Sequence, residues 1–366
     1  MKFTLSKSAL ESALSVVSKG VSSNSTLPIL AGIYLRAAEG MLELQSSDLS
    51  VSIRHKVAAN VEEEGATIVS GRTIANIVKN LPDAAVTFEG GDRSLSIQCQ
   101  KSSYRLNTLA PEDWSVFPDL ALSSMVELPS KKLSKMVDKV YRATSKDNTR
   151  PVYQGIHLTI KNNIVRVVAS DMLRLAFCET SVPVDATEPF DAIVPGDAFH
   201  DVMSLSQGEE TIRLGAAENQ MVFSFGNTTF ISRRVEGTFP DPEQLIPANC
   251  ATRIEMDVAE AGAALKRVSV IAQANPKVKF DVDVDEAVLR LQASTPEQGE
   301  SLETVPVVVE GEPMLTAFNY HYVFDCINAV SENDKVTLEL QGPTAPGIFK
   351  VNGDINYLYL LMPTRI

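Results

Sequence analysis

The chain repeats itself, and the length of the repeat restricts what it can fold into. From Pro151 to Arg174 it reads PVYQGIHLTIKNNIVRVVASDMLR; the same unit stands upstream, ungapped, as PILAGIYLRAAEGMLELQSSDLSV from Pro28 to Val51. Pro151 falls on Pro28, Gly155 on Gly32, Ile156 on Ile33, Leu158 on Leu35, Ser170 on Ser47 and Asp171 on Asp48. A fainter copy, PKVKFDVDVDEAVLRLQAST, runs from Pro276 to Thr295. The pattern predicts a proline-initiated pair of short strands in each copy, with the turn after the second strand carrying Ser-Asp in the first two.

Each copy is preceded by a strand and an amphipathic helix. Leu10, Leu14 and Val17 set the helical spacing in the first, Leu133, Met136, Val137 and Val140 in the second, and Ala261, Leu265, Val268 and Ile271 in the third. A strand, a small-residue turn and another helix follow: IVSGRTIANIVKNLP, IVPGDAFHDVMSLS and, more loosely, LTAFNYHYVFDCINAVS. The first two repeats close on Phe117-Pro118-Asp119 and Phe239-Pro240-Asp241. Dividing 366 residues by three gives about 122 per repeat, far longer than the ~20–50 of a solenoid unit. Each repeat is therefore a domain, with two helices covering about eight alternating strands, an α+β layer. The expected domains are 1–121, 122–248 and 249–366.

No catalytic constellation accompanies this architecture. The chain lacks GxGxxG, GxxxxGK[ST], GxSxG and HExxH. His55 and His157 sit in alternating strands, and Asp171 with Arg174 is most simply an ion pair or turn cap. Asp281, Asp283 and Asp285 share a strand face, with Val282 and Val284 inward, but the glycine of a calcium loop is missing. Cys99, Cys178, Cys250 and Cys326 are scattered and form no CxxC, which points to reduced thiols. No catalytic residue, metal or cofactor is expected. The N-terminus has no apolar signal core and no run reaches the ~18 residues that span a bilayer, so a cytoplasmic, nucleoid-associated protein without membrane contact is expected.

The net charge of −13 argues against nucleic acid only until the positions of the cations are considered. Lys131, Lys135, Lys139, Arg142 and Lys146 recur at helical spacing, opposite Leu133, Met136, Val137 and Val140. Arg72 and Lys79 lie seven apart on a first-repeat helix, and Lys266 and Arg267 form a weaker third group. Lysine and arginine faces without base-reading amides suit sequence-independent phosphate contact.

Three α+β repeats with basic helix faces and an acidic remainder resemble the bacterial DNA polymerase III beta subunit family, the sliding clamps. The opening MKFTL, TLPIL at Thr26 to Leu30, the Ser47-Asp48 pair, VSGR before Thr73, FPD at Phe239 and the terminal MPTRI all resemble that family. The resemblance implies a head-to-tail homodimer forming a pseudo-sixfold ring around double-stranded DNA, its hole lined by helices. By the same resemblance the duplex is contacted through Asn24, Arg72, Lys79, the Lys131–Lys146 stripe, Asn148, Arg150 and Val152. The dimer contact would join Lys101, Tyr104, Arg105, Leu106 and Asn107 to Val270, Ile271 and Pro296 to Glu303, with Lys101 and Arg105 facing Glu300 and Glu303. An apolar pocket would receive short linear motifs (a polar residue, then leucine and phenylalanine) from the replicative polymerase, the clamp loader, repair polymerases and ligase or mismatch-repair proteins. Its main chamber would be Tyr153, Ser170, Met172, Leu173, Arg174, Leu175, Pro240, Gln244, Leu245, Leu360 and Met362. Arg150, Val152, Asn319, Tyr322, Pro346, Pro363 and Arg365 would flank it.

The chain departs from the family pattern at several of these positions. Met172-Leu173 stands where Gly-His is frequent, Gln244 and Asn24 where arginine is, Pro151-Val152 where a tyrosine pair is, and Gly196-Asp197 where a basic pair is. These departures shift the expected DNA contacts to Arg72 and the Lys131–Lys146 stripe. The alternative reading is a clamp-fold scaffold that binds protein motifs without encircling DNA.

Overall fold

The computed structural model describes all residues except 23–25, 92, 115, 116, 119–124, 184–188, 218 and 248. Asn24, Asp119, the expected border at 121–122 and residue 248 beside the next border lie outside the described residues.

Each repeat opens as its periodicity predicts. In Lys2–Ser6 the buried residues are Phe3 and Leu5, while Lys2 and Thr4 face away from the core. Ser6 then caps α1 (Lys7–Val17), its hydroxyl accepting from the Ala9 amide at 3.3 Å, and Leu10, Ala13, Leu14 and Val17 are buried at helical spacing. Strand Val126–Pro129 leads into α3 (Ser130–Tyr141), and strand Thr252–Asp257 into α6 (Val258–Val268), capped by Asp257. Ile271, expected on that third helix, lies beyond its end. The second helices are α2 (Gly71–Asn80), α5 (Gly196–Leu205) and α7 (Tyr320–Ile327).

In the first two copies the repeated proline does not begin a strand, whereas in the third the strand Lys277–Asp283 follows Pro276 directly. Pro28–Ala31 is a single 3-10 turn and Pro151–Gln154 a single helical turn, α4; the strands start one residue later, at Gly32 and Gly155. Proline fits the first turn of a helix because the amide it lacks has no intrahelical partner there. Gly155 lets the turn press onto the neighbouring strand: a Cβ there would stand 2.3 Å from the Ile193 side chain, and at Gly32 2.6 Å from that of Ile68.

By density of contacts the chain forms two units, Met1–Lys131 with Asp201–Arg234, and Lys132–His200 with Val235–Ile366. The first holds a five-stranded sheet ordered Asn60–Glu63, Lys2–Ser6, Ala85–Gly90, Ser94–Cys99, Ser102–Asn107. It also holds an eight-stranded antiparallel sheet running from Val126–Pro129 to Gly65–Ser70. In that sheet a strand of the second repeat, Thr228–Arg233, pairs with Val51–Ala58 of the first, Phe230 opposite Ile53. The second unit holds a nine-stranded antiparallel sheet running from Phe190–Pro195 to Val308–Gly311. There Arg174–Ser181 pairs with Asn356–Leu361 of the third repeat, Leu175 opposite Leu360. Its four-stranded sheet is ordered Gly299–Pro306, Val288–Thr295, Lys277–Asp283, Met314–Asn319. Both sequence-adjacent borders between repeats are thus crossed by a continuous backbone ladder.

The acidic strand face is neutralised within the chain. Arg290 lies 3.0 Å from Asp283, 2.5 Å from Glu286 and 3.9 Å from Asp281. Val282 is buried as expected, but Val284 and Asp285 belong to the following turn. Among the described residues no group of His, Cys, Asp and Glu could hold a metal ion, and no helix is long and apolar enough to cross a membrane. The cysteines are free thiols; Cys99, Cys178 and Cys326 are buried, and burial pushes Cys178 up to about 12.

Candidate functional site

The Ser-Asp pair of the repeat is turn chemistry. In the second unit Asp171 Oδ1 accepts from the amides of Leu173 and Arg174, both at 3.0 Å, and Ser170 Oγ accepts from the Met172 amide at 3.2 Å. Ser170 Oγ donates in turn to the Arg174 carbonyl at 2.8 Å. The first unit repeats the pattern: Asp48 Oδ1 accepts from Ser50 and Val51 at 2.8 and 2.7 Å, and Ser47 Oγ from Leu49 at 3.2 Å. Closing so tight a turn drives Met172 into the left-handed region at φ 76°.

The copies diverge at Arg174, which replaces Val51 and is only 8% exposed. Its Nε donates to Asp171 Oδ2 at 3.0 Å, and its Nη1 to Asp325 Oδ2 at 2.5 Å and to the Tyr359 hydroxyl at 3.2 Å. Nη2 donates to the Arg142 carbonyl, and the guanidinium lies 4.2 Å over the Tyr322 ring. Burial alone would depress its pKa, but Tyr359, Asp325 and Asp171 outweigh that penalty and raise it, so the side chain stays a cation. Arg174, expected as a lining residue, is also a strut for the turn; with five donors in a rigid fork it is the side chain suited to that task. Asp325 and Tyr359, its partners, had no local sequence signal, since Asp325 stands 151 residues away.

Above the strut is an apolar surface. Leu175 and Leu360, expected to line the pocket, are 2% and 5% exposed and form its floor with Val168, Ile193, Phe239 and Ile348. Val152 packs on the same cluster, and the Tyr153 ring meets Phe239 edge-on at 6.2 Å. Met172, Leu173, Leu245 and Met362 are exposed in the same unit, at 51%, 53%, 48% and 40%. The Met362 amide donates to the Leu173 carbonyl at 2.9 Å, holding two of the four together. Pro240 follows Phe239, Gln244 turns to Asp241 at 3.3 Å, and Pro346 precedes Gly347, which pairs with Leu361. The Thr364 amide donates to Ala317 at 2.8 Å, which sets Pro363 and Arg365 beside strand Met314–Asn319. Asn319 is committed to capping α7, accepting from the His321 amide at 3.0 Å, and Tyr322 is covered by Arg174. The Arg150 guanidinium meets the Met172 thioether. Exposed apolar side chains in the unit that holds this buried cluster can anchor one or two large side chains of a partner.

The cationic stripe is narrower than its spacing predicts. Lys131 and Lys135 are exposed on α3, but α3 ends at Tyr141, so Arg142 occupies the following turn and Lys146 lies beyond it. Lys139 leaves the stripe: its Nζ donates to the Ala329 carbonyl at 2.5 Å and lies 5.1 Å from the Tyr357 ring, and burial lowers its pKa. Arg142 is exposed and pairs with Asp325 at 3.5 Å. Lys146 pairs with Asp197 at 3.5 Å and lies 5.4 Å over the Tyr141 ring, whose hydroxyl donates to Asp197 at 2.5 Å. Asn148 accepts from Gln154 at 2.6 Å. In the first unit Arg72 and Lys79 are exposed on α2 as expected. In the second, Arg267 donates to Glu303 through Nε and Nη2, at 2.9 and 2.6 Å.

Two of the sheets end in strands that carry expected contact residues. Ser102–Asn107 is an edge of the five-stranded sheet and carries Tyr104, Arg105, Leu106 and Asn107, with Lys101 just before it. Gly299–Pro306 is an edge of the four-stranded sheet and carries Glu300 and Glu303, while Val270 is 58% exposed and Ile271 half-buried. Glu303 is held bidentately by Arg267 within the chain.

Comparison with known proteins covers nearly the whole chain. The family models of the DNA polymerase III beta subunit match in order: N-terminal domain on residues 1–118, central domain on 127–241, C-terminal domain on 243–365. The beta sliding clamp of Staphylococcus aureus is 30% identical over 376 residues, covering 100% of this chain and 99% of that protein. The crystal structure of the DNA polymerase sliding clamp from Bacillus subtilis superposes with a TM-score of 0.94 at 25% identity, covering 100% and 99% of the two chains. That of the DNA polymerase III beta subunit from Thermotoga maritima gives 0.91 at 26%, with the same coverage.

Proposed function

The chain belongs to the DNA polymerase III beta subunit family, the beta sliding clamps, and from that premise we propose that two copies close head to tail around duplex DNA and tether replication proteins there. A sliding clamp is a processivity factor with no catalysis of its own. The observation that carries the ring is the strand pairing: both borders between repeats are crossed by antiparallel ladders. Ser102–Asn107 in the first repeat and Gly299–Pro306 in the last are among the sheet edges of the described residues, these two carrying the expected contact residues. An unpaired edge invites another strand. Pairing the edge of one copy with that of the next continues the same construction, and a heterologous contact that closes after two copies gives a ring and not a filament. Lys101 and Arg105 would meet Glu300 in this contact, with Glu303 retained by Arg267. Domains 1–121, 122–248 and 249–366 would supply six repeats to the ring.

Arg72, Lys79, Lys131 and Lys135 would face the duplex and hold it through phosphates alone, without reading sequence, with Arg142 beside them in its pair with Asp325. The surface formed by Met172, Leu173, Leu245 and Met362 would take the leucine–phenylalanine motifs of the replicative polymerase, the clamp loader, repair polymerases and ligase or mismatch-repair proteins. Such a role places the protein with the nucleoid in the cytoplasm. Asp197, which occupies Lys146 and Tyr141, favours the second reading of a motif-binding scaffold that does not encircle DNA.

One experiment separates them. A clamp loader with ATP should place the protein on nicked circular duplex, and linearisation should release it. Charge reversal at Lys131 and Lys135 should reduce loading at least several-fold while the urea midpoint stays put. Failure to associate with circles, or association that survives linearisation, would overturn the ring.

A further inference from the structure

The docking surface and the cationic face share one carboxylate. Asp325, on α7, presents Oδ2 to Arg174 Nη1 at 2.5 Å and Oδ1 to Arg142 Nη1 at 3.5 Å. Arg174 continues to Asp171, which holds the Leu173 and Arg174 amides and so the shape of the Met172–Leu173 turn. Arg142 is exposed and Arg174 buried, so Asp325 has a solvent-facing and a core-facing partner. The link is doubled by the Arg142 carbonyl, which accepts from Arg174 Nη2.

We infer that Asp325 is a positioning residue for the motif-docking turn and, through the same carboxylate, restrains Arg142 from phosphate, so that the two sites are coupled through it. This inference rests on the docking reading above. It assigns opposite signs to one substitution. Neutralising Asp325 leaves Arg174 with a buried positive charge and a looser hold on the turn, which weakens peptide binding. It also frees Arg142, which strengthens contact with the polyanion. A carboxylate that merely stabilised the fold would weaken both on removal.

The test uses the full chain and Asp325→Asn, a near-isosteric change that keeps one oxygen as an acceptor. A synthetic peptide bearing the leucine–phenylalanine motif is titrated calorimetrically, and a short linear duplex by anisotropy across a salt series. The inference expects peptide affinity to fall about tenfold, duplex affinity to rise, and the log-affinity against log-salt slope to steepen by ~0.9, one phosphate contact. Arg174→Lys, which keeps the charge but loses the fork, should weaken the peptide comparably. Hydrogen exchange at the Leu173 and Arg174 amides supplies a reading that needs no peptide: Asp325→Asn should accelerate both. Peptide affinity within twofold of the parent, a loss of both affinities together, or unchanged exchange would each overturn the inference. Should the parent itself bind no peptide, the docking reading fails, while amide exchange still decides whether Asp325 positions the turn.

Discussion

Met172 and Leu49 hold the same left-handed backbone conformation, φ 76° and φ 75°, at equivalent positions of two repeats. In both, an aspartate and a serine side chain satisfy the amides of the turn, and this local bonding makes the conformation tolerable for a side chain that disfavours it.

A backbone held there should prefer glycine. Met172→Gly is therefore expected to unfold at higher urea than Met172→Ala by the equivalent of ~1 kcal/mol, the reverse of the order on a helix or strand. Both should lose motif-peptide affinity, because the exposed methionine is gone. Equal stability of the two variants would count against a strained turn.

The close approach at Gly155 gives a second expectation. Gly155→Ala places a methyl 2.3 Å from the Ile193 side chain and should destabilise the protein by ~1–3 kcal/mol. Gly208→Ala, where a Cβ meets nothing within 4 Å, serves as the control and should stay within ~0.5 kcal/mol of the parent in the same denaturant titration.

Asp197 carries a pH signature. The Tyr141 hydroxyl, then Lys146, hold its carboxyl below the ordinary 3.8 despite partial burial. Below that value the unfolded chain takes up a proton that the folded chain does not, so this contribution is complete above 3.8 and fades as pH falls through the lower folded value. Because Asp197 is largely exposed, the contribution should be under ~1 kcal/mol. Urea midpoints of the parent and Asp197→Asn should differ by a constant small amount from about pH 7 to 5 and draw together as the solution becomes more acidic. A gap that widens on acidification would contradict this assignment.

The surface proposed to take the motif was legible only in part. Resemblance put Met172, Leu173, Leu245 and Met362 in one group, and they do stand exposed in the same unit. It could not distinguish floor from rim, because Leu175 and Leu360 have the same composition as their exposed neighbours and are buried only through cross-strand pairing. The cationic stripe was over-read for a related reason. Helical spacing assigns Lys139 to the wet face, but the third repeat supplies the Ala329 carbonyl and the Tyr357 ring that draw it inward.

The sequence by itself determined the repeat, the order of strand and helix in each third, and the Ser-Asp turn. All of these depend on contacts between residues close along the chain, where periodicity and side-chain capping act. Which cations stay free, which leucines are buried and which carboxylate Arg174 finds were decided by tertiary structure alone. Asp325 lies 151 residues from Arg174, and what joins them is the burial of a guanidinium that must find anions wherever the fold brings them.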